Sequence, residues 1–444
     1  MSRFARLATV VATALLAASC GNGGDDPPSG DTTPAQVEEI DFVEIGLWDD
    51  GPCDESKPPL VVGTSTVFES PVISLGDLAI ALEAAADAFN QRGGANGSCI
   101  EVHTCDDGAN VDQSVACVRE LDEAGIVATV NDTTTAGNAE VAAAFAAAGI
   151  PRVATNVSPS DWGDPNVYPL DASSTGSTLL MPRALLEEGV EEIGVIRADL
   201  AQATALRGIL ASMYEPEGAS FPMDVAVPPG TTDYSQFILS SQEAGVEGVI
   251  LAVGEQEAVQ MVDAAQQLGS PLTIAATLGT FPYAAVAEMG GIAEQMVFLS
   301  SFPPATFDLP VYEVLRADLA ASAEASLQPD QVKVVAMRSW IGLYALIRML
   351  RDAGTTEFSR EGITAMLDQA TDVPMLDIFG GENWTPALNH PGTFQRAGTN
   401  HWAVYRWDPD ATTPVGGEGN FVEASSFSWD EAVCGSPFGA PEPC

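Results

Sequence analysis

The chain has 444 residues, 46% of them apolar, with 62 acidic side chains against 17 Lys and Arg, a formal net charge of −45. So negative a surface repels nucleic acid and anionic lipid headgroups and argues against both as partners, although the field of a whole surface does not set the charge one pocket accepts. A chain this long exceeds one simple core and predicts two domains.

In chain order, the first stretch is MSRFARLATVVATALLAASC. Arg3 and Arg6 form a basic start, and Leu7 to Ala18 is an apolar run shorter than the roughly 20 residues of a membrane-spanning helix. Small residues, Ala17, Ala18 and Ser19, lead directly to Cys20. This resembles a bacterial lipoprotein signal, with Ala17 standing where such signals usually carry Leu; the other reading is an ordinary secretory signal. The resemblance implies that residues 1–19 are removed and that Cys20 is lipidated. The protein is then exported and anchored to the cell membrane, facing the periplasm or the cell exterior. Residues 20–36 have almost no apolar content and predict a flexible tether.

Beyond the tether, short β-branched runs alternate with longer helical patterns. Strands are predicted at IDFVEIGLW (from Ile40), LVVGTST (Leu60), CIEVHT (Cys99), GIVATV (Gly125), IPRVAT (Ile150) and EIGVIR (Glu192). Others follow at MDVAVP (Met223), GVILAV (Gly248), LTIAAT (Leu272) and MVFLSS (Met296). Most are continuously apolar, as strands buried on both faces are. Between LVVGTST and CIEVHT, Leu78, Leu82, Ala85 and Phe89 share one helical face, and Gly93 is placed to end that helix. Asn110 is placed to cap the next helix, with Gln113 three residues on. The alternation predicts βαβ units and parallel sheets covered on both sides, too many strands for one open sheet. From Pro329 the pattern turns mainly helical, then returns to strands at HWAVYRW (His401) and FVEASSFSW (Phe421).

Catalytic patterns are missing from the sequence. His103, His390 and His401 are scattered, and no zinc-protease helix, nucleophile elbow or phosphate-binding glycine loop is present. Asp106, Asp107, Asn110 and Asp112 loosely suggest a calcium loop, but Cys117 stands where the bidentate Glu belongs. The expectation is a binder rather than an enzyme, with no cofactor and no metal.

VVGTSTVFES, a helix ending AADAFNQRGGANG, and a strand leading to Asp106-Asp107 together resemble the branched-chain amino-acid type of periplasmic (type 1) substrate-binding protein of ABC importers. The matching features are Val62-Gly63, Thr64 to Thr66, Asn90, Gly93-Gly94 with Gly97, and the paired aspartates, and the resemblance runs on to the strand near Trp407. It implies an α/β fold of two doubly wound parallel-sheet lobes joined by three crossings, with a ligand cleft between them. The crossings would fall near Leu170 to Thr175, Ser300 to Pro304 and Ala397 to Ala403. Lobe 1 would be residues 37–170 plus 302–397, and lobe 2 residues 171–301 plus 398–444.

Ligands of such sheets sit beyond the carboxyl ends of the strands. That places Thr66, Asp132, Thr133, Thr134, Asn156 and Ser158 at the cleft from lobe 1, and Gln202, Glu255 and Thr277 from lobe 2. Two departures bear on the ligand. Amino-acid-binding members carry an aromatic followed by Gly where this chain reads ADLAQATA, and an acidic residue where it reads TLGTFPY. The expected partners are a small polar solute, an amino acid or a related molecule, and an importer permease. An extracellular sensor built on the same module is the alternative within binding functions; an exported hydrolase using an acidic pair is the alternative outside them.

Removing Cys20 leaves six cysteines, an even number that favours disulfides in an oxidising compartment. Cys105, at a strand end, and Cys117, on the second turn of the next helix, can meet when helix packs on strand, and relatives of the family have similar spacing. For the other four, three pairings are open; Cys53 with Cys99 and Cys434 with Cys444 is the expected one.

Overall fold

The computed structural model describes residues 40–70, 73–158, 161, 163–387, 396, 398–436 and 438–439, with Ala201 and Gln202 described as backbone only. A first sheet is built along β1 (Leu60–Thr66), α1 (Gly76–Gln91), β2 (Ile100–Asp106), α2 (Val111–Glu123), β3 (Ala128–Val130), α3 (Asn138–Ala148), β4 (Arg152–Val153) and β5 (Val167–Tyr168). A second begins with α4 (Ser173–Glu187), β6 (Glu192–Ala198), α5 (Leu206–Tyr214), β7 (Ser220–Val227), α6 (Ser235–Glu243) and β8 (Gly248–Ala252). It continues through α7 (Glu255–Leu268), β9 (Thr273–Thr277), α8 (Tyr283–Glu288) and β10 (Met296–Ser300). Next come α9 (Pro310–Ala320), α10 (Val334–Asp352) and α11 (Arg360–Leu367), then β11 (His401–Asp408), β12 (Asn420–Ser428) and α12 (Trp429–Ala432).

The first sheet has the order β2-β1-β3-β4-β5 and is parallel throughout. The second has the order β12-β11-β10-β9-β8-β6-β7, with antiparallel pairing where β11 joins β10 and β12. In each sheet the winding reverses at the first strand, β1 or β6, which is the doubly wound arrangement. Helices α9 and α10 pack on α1, so the chain returns to the first sheet after β10 and leaves it again for β11. It passes between the sheets three times. The two mostly parallel α/β sheets and their connections are those implied by the family resemblance.

Helix α10 is the axle of the first half. Every residue from Ala336 to Ile347 is buried, and both Arg338 and Ser339 find partners there. Ser339 Oγ donates to the Leu78 carbonyl at 2.8 Å and accepts from Asn131 Nδ2 at 2.8 Å. Arg338 makes a two-point contact with Asp171, Nη1 to Oδ1 at 2.6 Å and Nη2 to Oδ2 at 3.0 Å. Asp171 lies in the first connection between the sheets, and Ser301, in the second, donates to its Oδ2. The third connection packs on the first: the Thr399 amide donates to the Leu170 carbonyl at 2.8 Å. Beside it Gly398 has φ +76°, and a side chain there would run into the carbonyls of Pro169 and Leu170. All three connections are therefore held in one bundle, by the Ser301 hydrogen bond to the Arg338-paired Asp171 and by backbone contact that only glycine permits.

The segment before β1 departs from the sequence-based expectation. IDFVEIGLW is not a strand: the Asp41 side chain accepts from the amides of Val43 and Glu44 at 3.0 Å each, and the Leu47 amide closes back on the Phe42 carbonyl. An aspartate side chain competing for local amides draws the chain into turns despite its β-branched composition. The following Trp48 stacks on Phe89 and Tyr344, with ring centroids 5.5 and 5.9 Å away, and Arg351 lies over its face. Burying Leu47 alone contributes about 1.5–3 kcal/mol. Two disulfides staple the same half, Cys53–Cys99 and Cys105–Cys117, with Cα atoms 5.1 and 5.6 Å apart. Cys434 is also disulfide-bonded; Cys444, the partner expected for it, lies outside the described residues, as does Cys20. Asn110 caps α2 through the Gln113 amide at 3.1 Å, while the Gln113 side chain turns to the Asp106 carbonyl, so the cap is one-sided.

Candidate functional site

A cleft of about 1410 Å³ opens beyond the carboxyl ends of the strands and is bordered by residues of both halves. Its first wall comes from the loops after β1, β3 and β4 and from the first turns of α1, α3 and α10. Its second wall comes from the loops after β6, β8 and β9 and from the starts of α4 and α7. Helix N-termini carry unpaired amides, so this convergence gives the cleft donors that belong to no single side chain.

Six of the nine residues placed at the cleft from sequence border it: Thr133, Thr134, Asn156, Ser158, Glu255 and Thr277. Thr133 is only 6% exposed, and its Oγ1 has no hydrogen-bond partner among the described residues. Ser158 donates from both its amide and its hydroxyl to Asp161 Oδ2, at 2.8 and 2.7 Å. The Thr277 hydroxyl accepts from the Gly279 amide at 3.0 Å and shapes the turn after β9. Asn156 faces the start of α4, its Oδ1 3.4 Å from the Ser174 amide.

Two of the nine point elsewhere. Asp132 lies beneath the cleft floor, fully buried, accepting from Thr129 and Thr155 at 2.7 and 2.9 Å and from Arg152 Nε and Nη2 at 2.8 and 2.6 Å. Arg152 also pairs with Asp161, which in turn holds Ser158. Burial would lower the Arg152 guanidinium, yet the two aspartates outweigh it and raise it, so the group stays charged. Asp132 therefore acts on the cleft through Arg152 and Asp161. Thr66 is also fully buried and does not border the cleft. The side chain of Gln202 is outside the described set.

Sequence reasoning missed the charged cluster at the cleft. Lys333, just before α10, has its Nζ 3.2 Å from Asp77 Oδ2 and 3.2 Å from Glu255 Oε2. Asp77 belongs to the first turn of α1 and Glu255 to the first turn of α7, so the lysine joins the two walls. Burial pulls the Lys333 ammonium down, but Asp77 and Glu255 offset this and leave it above its ordinary value. Asn138, Thr175 and Thr178 were also missed. Each sits within a turn or two of a helix start, and extending the strand-end rule by that distance finds Asp77 and all three. Lys333 follows no strand and has no such signal.

The lining is mostly hydroxyls, amides and aliphatic side chains, with no His, Cys or Arg among the described residues there. Among the described residues no three His, Cys, Asp or Glu side chains are grouped to hold a metal ion. No described lining hydroxyl has a lining histidine to act as base, and what the arrangement can do is desolvate and hydrogen-bond a polar molecule.

The sequence matches the family model described as periplasmic binding protein over residues 59–412. No curated protein matches it. Among solved structures, the fold is similar to a fatty acid ABC transporter substrate-binding protein from Thermomonospora curvata, with TM-score 0.69 and 17% identity, covering 86% of this chain and 95% of that one. It is similar to an ABC transporter solute binding protein from R. palustris in complex with 4-hydroxybenzoate (TM-score 0.67, 15% identity, 83% and 97% covered). It is also similar to a leucine-, isoleucine-, valine-, threonine- and alanine-binding protein from Brucella ovis in a closed conformation (TM-score 0.66, 14% identity, 85% and 97% covered). Identities this low speak for the fold alone.

Proposed function

Because the chain belongs to the periplasmic binding protein family, we propose that it is an exported solute-binding protein that delivers a small polar solute to an ABC importer and has no catalytic activity of its own. In this reading residues 37–170 with 302–397 form one moving lobe and 171–301 with 398–444 the other, turning about the bundled connections. Cys20 carries the lipid anchor, and Cys20→Ser releases the protein from the membrane fraction in folded form; a membrane-bound variant contradicts the anchor.

The observation that carries the reading is the convergence of polar side chains from both halves on one cleft, including the partnerless Thr133 hydroxyl at 6% exposure. A buried hydroxyl without a partner is costly, and a solute that bonds it removes the cost. The loop after β9 has no carboxylate to hold an α-ammonium, and Glu255, which could replace it from the same wall, is engaged by Lys333 at 3.2 Å. Leucine, isoleucine and valine therefore bind weakly or not at all.

The test is a thermal-shift screen of small polar solutes, followed by calorimetry of the best hit. The expected result is saturable binding of one solute per chain, weakened by about 0.5–1.5 kcal/mol in Thr133→Val and in Asn156→Ala. Turnover of the hit, or no stabilisation by any solute, would contradict the proposal.

A further inference from the structure

Asp77 is 7% exposed and borders the cleft. Its Oδ2 is paired with Lys333 at 3.2 Å, while its Oδ1 has no hydrogen-bond partner, and no other cation among the described residues pairs with it. An ionised carboxylate offers about four lone-pair sites, and one ammonium, itself shared with Glu255, cannot fill them. A buried carboxylate left in this condition is matched to a donor that the described chain does not supply.

The rest of the lining points to the charge of that donor. Its charged members are Asp77, Glu255 and Glu257 against Lys333, three acids to one base among the described residues. A solute carboxylate would meet a single cation already held between two carboxylates, and would have to displace one of them. A solute ammonium that reaches Asp77 finds its buried Oδ1 without a partner, and the buried Thr133 hydroxyl is likewise partnerless on the same wall. The described lining also has no aromatic ring on which a planar acid could stack.

We infer that the cleft selects a solute bearing a protonated amine and no carboxylate, and that Asp77 is the acceptor of that amine. This rests on the solute-binding reading and narrows it to a class. It also moves the amine contact to the first wall, away from the loop after β9.

The test uses matched straight-chain probes of increasing length whose two ends are both amines, one amine and one carboxylate, both hydroxyls, or both carboxylates. Calorimetry on the full mature chain is expected to rank diamines above amino acids and both above diacids. Asp77→Asn should weaken the best diamine at least about tenfold, the scale of a hydrogen bond to a charged group, while Asp77→Glu keeps measurable binding. Preference for diacids or diols, or a diamine affinity unchanged in Asp77→Asn, overturns the amine assignment. The ranking on the unaltered protein decides the matter even if Asp77→Asn folds poorly. If no probe binds while the wider solute screen finds a ligand, the amine assignment fails alone; if the screen fails too, the solute-binding reading falls with it.

Discussion

The two disulfides of the first half close loops of different length, and this sets their relative worth. Cys53 and Cys99 are 46 residues apart in sequence, Cys105 and Cys117 only 12. In the chain-entropy model, opening the longer loop frees the unfolded chain by about 4 kcal/mol and opening the shorter by about 3 kcal/mol. The loops follow one another without overlap, so the two effects add. Their sum is comparable to the whole stability of an ordinary domain, about 5–15 kcal/mol. The comparison needs two variants, Cys105→Ala with Cys117→Ala and Cys53→Ala with Cys99→Ala, each unfolded in urea before and after reduction. Reduction opens the remaining first-half disulfide in each, together with the bridge of Cys434, which cancels in the comparison. Tryptophan fluorescence follows unfolding, and the midpoint shifts convert to free energy through the slope. Reduction is expected to cost about 1 kcal/mol more in the variant that retains Cys53–Cys99. An equal or reversed order would refute the loop-entropy reasoning.

Three further outcomes follow from the packing. Asp132→Ala leaves the buried Arg152 guanidinium with Asp161 alone and should cost about 3–5 kcal/mol in urea unfolding; a cost below about 1 kcal/mol would show that the Asp132 pair does not hold the loop. Gly398→Ala should cost about 1–3 kcal/mol from the positive φ alone, before any clash with Pro169 and Leu170, and an unchanged melting temperature would contradict the bundled connections. Burial raises the Asp107 carboxyl, against the opposing Ala109 amide and Ser114, so the native state holds this proton more tightly than the unfolded chain does. The stability of the parent protein relative to Asp107→Asn should therefore fall as pH rises from about 3.9 through the raised value, and a difference independent of pH would contradict the shift.

What could be read from the sequence follows from where each signal resides. GVILAV is continuously apolar, and LVVGTST and MVFLSS open on apolar runs, because both faces of their sheets are covered, and each is a strand. The strand Val167–Tyr168 left no such trace. It is two residues long between Pro165 and Pro169, and it exists because the Ala154 amide reaches the Tyr168 carbonyl at 2.8 Å. That is a tertiary contact, outside the reach of local pattern. IDFVEIGLW had the composition of a strand and lost it to the Asp41 side chain. At the cleft, the strand-end rule found Thr133, Asn156 and Thr277 because the sheets bring those loops together. It also gathered Asp132 and Thr66, whose place at a strand end says nothing of which face they turn to. Asp77 and Lys333 lie far apart in sequence and meet only because α10 returns to pack on α1.

The most direct test of the account is native mass spectrometry of the freshly purified, unaltered protein, before and after incubation with a mixture of small polar solutes. A one-to-one noncovalent complex with a small polar solute that is released intact on unfolding is expected. A protein ion that carries no solute in either sample, or that returns a chemically altered one, would contradict it.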